Sequence, residues 1–190
     1  MTALGLFAPD ASMNAVIRAK EDTLVVGLPV IGAVFKSLGA PFTWRALVRE
    51  ASPVASMTEV AHISAPATAM LKAERVILNF ITHLSGIANL TARYVRELEG
   101  TGVRLLDTRK TTPGLRWPEK YAVQAGGGHN HRKNLTEMLM LKDNHIDAAG
   151  SITAAVAALR ACYTPCPPIE VECRTLDHVR EAVSLAPQRI

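Results

Sequence analysis

Three clusters of polar residues in the second half of the chain have side chains that could do chemistry. They are residues 107–112 (DTRKTT), residues 142–145 (KDNH) and the pair Glu170 and Glu172. A guanidinium such as that of Arg109 binds a carboxylate through two parallel hydrogen bonds, whereas the ammonium groups of Lys110 and Lys142 suit phosphates. The residue types therefore indicate a site for substrates that carry carboxylates and phosphates.

Positive charge is concentrated around these clusters. Residues 104–145 contain eight Lys or Arg against four Asp or Glu, and the remaining 13 basic and 13 acidic residues cancel, so this segment carries the whole net charge of +4. A basic segment is one sign of nucleic-acid binding. However, Trp117 and Tyr121 are the only aromatic residues in it, which leaves little material for base stacking. We therefore expect small anionic substrates and no nucleic-acid partner.

The glycines at residues 126–128, just before His129, His131 and Arg132, have two possible roles. They could let backbone N–H groups approach an anion, or they could simply end a helix. They match neither the Walker loop nor the dinucleotide fingerprint. Zinc binding through His129 and His131 lacks a further Cys or acidic residue at a recognisable spacing, so we expect no zinc site.

The two glutamates of the third cluster alternate with apolar residues. Because Glu170 and Glu172 are separated by Val171 and preceded by Ile169, both carboxylates should point to one face of a strand. A hard cation such as Mg²⁺ that also binds a phosphate would explain two carboxylates among cations. A pair of salt bridges would explain them too, and the sequence leaves both interpretations open.

The elements that must position the three clusters alternate between strand and helix. Strands are predicted over residues 103–106, 138–141 and 169–173, with a fourth strand opening at residues 189–190. Helices are predicted over residues 118–125 and 152–159, and from Thr175, as N-cap, to residue 185. This alternation predicts a parallel sheet of α/β type, whose strands should bring the clusters together at their carboxyl ends.

Residues 1–100 are predicted to form an α+β domain that ends in a helical segment. Strands are predicted over residues 12–19 and 23–26, as a hairpin, and over residues 42–48 and 57–63, around a turn at Ser52-Pro53. Helices are predicted over residues 28–38 and 67–100, the second broken at Ser85-Gly86 and ended by Gly100. Residues 101–190 would form the first part of an α/β barrel. Three units and a fraction do not close a barrel, so we expect a truncated chain.

The overall composition is that of a globular protein, with 48% hydrophobic and 20% charged residues. No uninterrupted apolar run reaches the roughly 18 residues that a transmembrane helix needs, and the N-terminus lacks the basic and apolar parts of a signal peptide. Three cysteines are an odd, sparse set that argues against a disulfide scaffold. We expect a cytoplasmic protein with no membrane partner.

Five stretches of the sequence resemble the quinolinate phosphoribosyltransferases, the carboxylating nicotinate-nucleotide pyrophosphorylases. They are residues 73–91, 105–123, 126–135, 141–146 and 169–179. The combination of DTRKTTPGLR, HR and KDNH, in that order, is highly specific, and the likeness is weaker before residue 66. The resemblance implies an N-terminal α+β domain beside an incomplete α/β barrel, in a homodimer with shared active sites. It also implies that quinolinate and phosphoribosyl pyrophosphate react, with Mg²⁺, to give nicotinate mononucleotide, pyrophosphate and CO₂ on the de novo route to NAD.

The resemblance further implies roles for individual residues. The substrate-binding residues would be Arg75, Arg109, Lys110, His131, Arg132, Lys142 and Glu172. Arg75 would be lent to the pocket by the partner subunit, and the next four would hold the carboxylates of quinolinate. Lys142 would contact phosphoribosyl pyrophosphate. Glu172 would lie near the ribose and Mg²⁺, with Glu170 as a second candidate. The candidate catalytic residues are Lys110, Lys142 and Glu172.

Two other proteins of the same fold would share much of this pattern. A paralogue associated with molybdenum transport would need different residues on the carboxylate side, and the intact TRK and HR pairs speak against it. A truncated, non-catalytic relative that keeps the dimer surface is the other alternative. Turnover of quinolinate would exclude that alternative.

Overall fold

The structure, a computed structural model, describes residues 7–8 and 10–190. The chain forms two compact units, one ending at His131 and the other spanning Arg132–Ile190. The domain boundary predicted between residues 100 and 101 stays a prediction. Within the described ranges, no helix is both long enough and apolar enough to span a membrane.

The first unit is built on antiparallel strands. They are β1 (Ser12–Arg18), β2 (Thr23–Val25), β3 (Thr43–Ala46), β4 (Ser52–Val54) and β5 (Glu59–Pro66). Three of them form a sheet in the order β1-β5-β3, and β2 pairs separately with β4. The central strand β5 buries Ile63 and Ala65 on one face and leaves His62 and Ser64 half-buried on the other, as its alternating sequence requires.

Two helices pack their apolar faces against this sheet. They are α1 (Val30–Ser37) and α2 (Ala67–Glu97). The buried residues of α2 recur at steps of three and four along one stripe: Met70, Ala73, Ile77, Ile81, Leu84 and Ala88. The first part of this stripe joins Ile31 and Phe35 of α1 in one hydrophobic core. The core fixes the course of α2, which also supports the segment that carries the first polar cluster.

The predicted break of α2 at Ser85-Gly86 is wrong, because the helix continues for 31 residues. Ser85 is buried, and its Oγ accepts a hydrogen bond from the N–H of Val26 at 2.9 Å and donates to the carbonyl of Val26 at 3.3 Å. The serine therefore ties the chain after β2 to the helix instead of ending the helix. Gly86 faces open space, so nothing in its surroundings bends the backbone.

Strand pairing in the first unit also differs from the prediction. β1 and β2 do not form a hairpin, because β1 pairs with β5 and β2 pairs with β4. Ser52-Pro53 is not a turn but lies within β4, where Pro53 faces Leu24. Proline is tolerated there because this is a two-stranded ribbon, in which each strand has one edge without a partner strand.

The segment after α2 carries less regular structure than expected. The predicted strand over residues 103–106 is wrong, since only Leu106 forms an isolated parallel bridge, with His129. The helix predicted over residues 118–125 is confirmed as α3 (Arg116–Ala125), which packs against α2. The bridge and α3 together hold the first polar cluster and residues 129–131 within hydrogen-bonding reach of each other.

The second unit has parallel strands, as predicted. Its elements are β6 (Leu139–Leu141), α4 (Asp143–Ala149), α5 (Ile152–Cys162), β7 (Ile169–Val171) and α6 (Leu176–Ser184). β6 pairs in parallel with β7, and an isolated parallel bridge from Glu170 to Arg189 lies where a fourth strand was predicted. Thr175 is the N-cap of α6, and its Oγ1 accepts the N–H of His178 at 3.1 Å. The sequence prediction missed α4, which ends at Gly150 with a φ of 86°.

Candidate active site

The first polar cluster is held by a buried ion pair. Lys120 of α3 is 1% exposed, and its Nζ lies 2.5 Å from Oδ1 of Asp107, which is 8% exposed. The same Nζ donates to the carbonyl of His131 at 3.1 Å, and the N–H of His131 donates to Oδ1 of Asp107 at 2.8 Å. These bonds join the beginning of the DTRKTT segment to the backbone of a predicted substrate-binding residue.

Further hydrogen bonds extend this ion pair into a network. The N–H of Asp107 donates to the carbonyl of His129 at 3.1 Å, and the N–H of His129 donates to the carbonyl of Leu105 at 2.9 Å. The side-chain amide of Asn130, oriented to suit its neighbours, donates to Oδ2 of Asp107 at 2.8 Å and to the carbonyl of Lys120 at 2.9 Å. Both oxygens of Asp107 are therefore occupied, and residues 129–131 are fixed beside it.

Arg109 and Lys110 follow this anchored aspartate. Lys110 is exposed, and its N–H donates to Oγ1 of Thr108 at 3.1 Å. The carbonyl of Arg109 accepts a bond from Nη2 of Arg116 at 3.4 Å. The Nε atoms of both arginines are buried and have no hydrogen-bond partner among the described residues. Buried donors of this kind are suited to acceptors brought by a ligand.

Glu119 fastens the far end of the same segment. Its Oε2 accepts the N–H of Thr112 at 3.2 Å, and its Oε1 lies 2.9 Å from Nε2 of His83 on α2. Burial raises the pKa of Glu119, but the hydrogen bonds from Thr112 and His83 outweigh it, so the net pKa lies below the ordinary value of 4.5. The loop that carries Arg109 and Lys110 is thus tied at both ends.

The glycines at residues 126–128 end α3 and do not form an anion-binding loop. Their N–H groups donate to the carbonyls of Ala122, Gln124 and Val123 respectively, at 3.0 Å each. A Cβ on Gly126 would lie 2.7 Å from Cβ of Thr91 and would also meet the carbonyl of Ala88. Of the two roles considered from the sequence, helix ending is therefore the one observed, together with close packing against α2.

In the second unit, Lys142 and Glu172 come together at the ends of adjacent strands. Their Nζ and Oε1 atoms are 3.1 Å apart, and both side chains are about half exposed, at 47% and 51%. The backbone N–H of Glu172 donates to the carbonyl of Leu141 at 2.9 Å, which fixes the register of the two strand ends. An exposed ion pair contributes little to stability, so both groups can exchange their partner for a charged ligand at small cost.

The other two candidates of this unit have structural contacts. Arg132 donates from Nη1 to the carbonyl of Met138 at 2.9 Å, and its Nη2 lies 3.3 Å from Sδ of Met140. Oε2 of Glu170 lies 3.6 Å from Nη1 of Arg189, while Ile169 and Val171 are buried on the opposite face of β7. Each glutamate of the third cluster thus forms an ion pair with a cation, as the salt-bridge interpretation required.

Arg75 lies on the exposed side of α2 and forms no hydrogen bond or ion pair with the described residues. The structure thus brings Asp107 together with the backbone of His131, and Lys142 together with Glu172, within their respective units. Sequence reasoning missed the role of Lys120. In the sequence, Lys120 is one of three charged residues in the segment that forms α3, with Arg116 and Glu119. Nothing in that pattern distinguishes a buried lysine from an exposed one.

Within the described ranges, no three His, Cys, Asp or Glu residues are grouped to hold a metal ion. A dedicated protein cage for a metal is therefore not built from these residues. Glu172 offers one half-exposed carboxylate. This fits Mg²⁺, which protein sites commonly bind through one or two carboxylates together with waters and the phosphates of a substrate.

The first unit contains the antiparallel sheet of an α+β domain, and the second unit contains parallel strands that alternate with helices. Family models match both parts: the N-terminal domain of quinolinate phosphoribosyl transferase over residues 1–85 and its C-terminal domain over residues 87–190. The chain belongs to the quinolinate phosphoribosyl transferase family, which confirms the resemblance found in the sequence.

Individual relatives agree with the family models. The chain is 44% identical over 166 residues to a probable nicotinate-nucleotide pyrophosphorylase (carboxylating) of Synechocystis, which covers 87% of this chain and 56% of that protein. It is 37% identical over 171 residues to the human nicotinate-nucleotide pyrophosphorylase (carboxylating), with coverages of 89% and 57%. The chain therefore spans little more than half the length of these curated relatives.

Solved structures show the same likeness. The crystal structure of NadC from Streptococcus pyogenes is similar with a TM-score of 0.88 at 40% identity, over 96% of this chain and 66% of that chain. The nicotinate-nucleotide pyrophosphorylase of Ehrlichia chaffeensis gives a TM-score of 0.87 at 36% identity, over 97% and 66%. These similarities confirm the predicted fold class, an α+β N-terminal domain with a partial α/β barrel.

Proposed function

We propose that this chain takes part in phosphoribosyl transfer from phosphoribosyl pyrophosphate to quinolinate, with decarboxylation, in the de novo synthesis of NAD. The products would be nicotinate mononucleotide, pyrophosphate and CO₂. The observation that carries the proposal is the retention of DTRKTT, HR and KDNH in a chain whose relatives are named carboxylating nicotinate-nucleotide pyrophosphorylases. Those names also favour this reaction over the molybdenum-associated paralogue.

The charges of the substrates fit the cationic segment. Quinolinate carries two carboxylates, and we assign their binding to Arg109, Lys110, His131 and Arg132. The unpartnered Nε of Arg109 supports this assignment, because a carboxylate oxygen would satisfy it. Phosphoribosyl pyrophosphate carries several further negative charges. A strongly cationic segment lowers the repulsion between the two substrates and favours their entry.

The reaction needs no nucleophile from the protein. The lone pair of the pyridine nitrogen attacks the anomeric carbon of the ribose, a carbon–nitrogen bond forms, and the bond to pyrophosphate breaks with its electron pair leaving on oxygen. The carboxylate next to the quaternised nitrogen then leaves as CO₂. The electron pair left on the ring carbon takes a proton from solvent. The protein contributes orientation and electrostatic stabilisation.

Lys142 and Glu172 are assigned to the phosphoribosyl side of the reaction. Lys142 would neutralise charge on the phosphates, and Glu172 would bind the ribose or Mg²⁺ carried by the pyrophosphate group. When bound, Mg²⁺ would supply further neutralisation of the leaving group. The half-exposed contact between the two side chains supports this assignment, because a ligand can replace it. Together with Lys110, these residues are the proposed catalytic groups.

We also propose a homodimer with shared active sites, in which Arg75 serves the pocket of the partner subunit. Its exposure and lack of a partner among the described residues support this role. Sedimentation equilibrium that shows only monomers would contradict the dimer. The proposed compartment is the cytoplasm, and recovery of the protein in a membrane or secreted fraction would contradict that.

The proposed activity is tested by incubating the purified chain with phosphoribosyl pyrophosphate, Mg²⁺ and quinolinate, and measuring nicotinate mononucleotide and CO₂. We expect equimolar products with quinolinate and none with nicotinate as the acceptor. Arg109→Ala should lower kcat/KM by about 100-fold or more. The control is Arg93→Ala, which removes an exposed arginine that has no role in the proposed site. Binding of quinolinate without any turnover would instead support the non-catalytic relative.

A further inference from the structure

Lys120 is the only charged residue that is buried among the described residues. Burying a charge is costly unless it is paired and hydrogen-bonded, and the cost is met here by Asp107 and by the carbonyl of His131. Replacing a buried ion pair by apolar residues of similar volume is often neutral or stabilising. Stability alone therefore does not explain why this pair is present in the first unit.

What the pair does hold is the backbone on both sides of it. Asp107 precedes Arg109 and Lys110 by two and three residues, and its carboxylate accepts the N–H of His131. Lys120 donates to the carbonyl of the same His131. Both backbone polar groups of His131 are thus bonded to one ion pair. An apolar replacement could fill the volume but could not bind either group.

We propose that Lys120 and Asp107 are positioning residues for the carboxylate-binding side chains, a role that rests on the proposed function. They act through the backbone of His131 and of the segment that carries Arg109. They do not touch the substrate. A displacement of about 1 Å in a positioned group can cost roughly 100-fold in rate. By fixing the backbone near Arg109 and His131, the ion pair should therefore affect how well quinolinate is held.

The test compares two affinities in one chain. Quinolinate and phosphoribosyl pyrophosphate are titrated separately by calorimetry, so that no turnover occurs. Lys120→Met combined with Asp107→Asn removes both charges of the pair at once and keeps the side-chain volumes similar. We expect the affinity for quinolinate to fall about tenfold or more, while the affinity for phosphoribosyl pyrophosphate, assigned to Lys142 and Glu172, stays within about twofold.

A second variant keeps the test decisive if the double variant does not fold. Asn130→Ala leaves the ion pair intact and removes only the side-chain amide, which donates to Oδ2 of Asp107 and to the carbonyl of Lys120. It should lower the quinolinate affinity alone, by about threefold or more. The control is Glu59→Gln, which removes one charge from the exposed ion pair with Arg18 and should change neither affinity.

The outcomes separate this inference from the proposed function. If the unsubstituted chain does not bind quinolinate, the proposed function fails and the inference fails with it. If the unsubstituted chain binds quinolinate and folded variants bind it equally well, only the inference is overturned. Equal losses of both affinities would also overturn it, because they would indicate general destabilisation and not positioning of one binding group.

Discussion

Individual residues of the candidate site differ in how firmly they are held. Lys120 is buried and the side chain of Asp107 is nearly so, and the two are hydrogen-bonded to each other, whereas Lys110 and the Lys142–Glu172 pair are exposed. Within the first unit, the hydrogen-bonded pair fixes the backbone next to Arg109 and Lys110. Within the second unit, the exposed Lys142–Glu172 pair can exchange its ion-pair contact for a charged ligand at small cost.

Glu119 gives a prediction at this scale. Its folded-state pKa is lowered, so its carboxylate stabilises the protein above the unfolded-state pKa near 4.5, and this contribution is lost as the pH falls through the lower folded-state pKa. Glu119→Gln should therefore lower the free energy of unfolding by about 1 kcal/mol near pH 6 and by much less near pH 3. Urea unfolding of both chains measures the difference. A difference that does not change between the two pH values would contradict this role.

The sequence predicted the residue types of the site better than their connections. Arg109, Lys110 and Lys142 stand out because cations cluster beside predicted strand ends, and charge and order are visible in a sequence. The role of Lys120 was not visible, because a lysine within a helix is ordinarily solvated. Its burial depends on where α3 packs and on the conformation of residues 129–131, which are tertiary properties.

At the scale of elements, the packing of α3 on α2 fixes the start of the site. Gly126, at the end of α3, has a φ of −82°, which any residue can adopt, so close approach to α2 is the reason for glycine. This contact places the following residues, 129–131, beside Asp107. The packing of α3 on α2 therefore supports the hydrogen-bond network around Asp107.

Gly126→Ala tests this contact. Its Cβ would overlap the carbonyl of Ala88 and lie 2.7 Å from Cβ of Thr91, so we expect a loss of about 1–3 kcal/mol in the free energy of unfolding. The matched control is Gly86→Ala on α2, where a Cβ meets open space. That variant should gain about 0.5–1 kcal/mol from helix propensity. Chemical denaturation of both variants checks the pair, and a neutral Gly126→Ala would show that the helices do not pack as closely as described.

Regular periodicity and capping residues allowed several helices and strands to be predicted. Short local patterns gave wrong predictions at Ser85-Gly86 and at residues 103–106. The parallel strands β6 and β7 and the Thr175 cap follow directly from apolar runs and a capping residue. Ser85-Gly86 has the composition of a break, but burial of Ser85 against Val26 keeps the helix intact. The run at residues 103–106 is apolar but too short to decide its own conformation, and only one bridge forms there.

At the scale of the whole chain, sequence and structure agree on the family and on the location of charge. The net charge of +4 lies entirely within residues 104–145, which include the Lys120–Asp107 ion pair and the exposed Lys110 and Lys142. The family models cover 1–85 and 87–190, so both parts of the chain belong to one family. A chain with this charge distribution should distinguish anions by the number and placement of their carboxylates.

The most direct measurement is a calorimetric titration of the purified chain with quinolinate and, separately, with nicotinate. The second carboxylate of quinolinate should gain charge-assisted hydrogen bonds worth about 1.5–3 kcal/mol, so quinolinate should bind at least about tenfold more tightly. Arg109→Ala should remove most of that difference. Equal binding of the two ligands, or no binding of quinolinate by the folded chain, would contradict the assignment of quinolinate as the substrate.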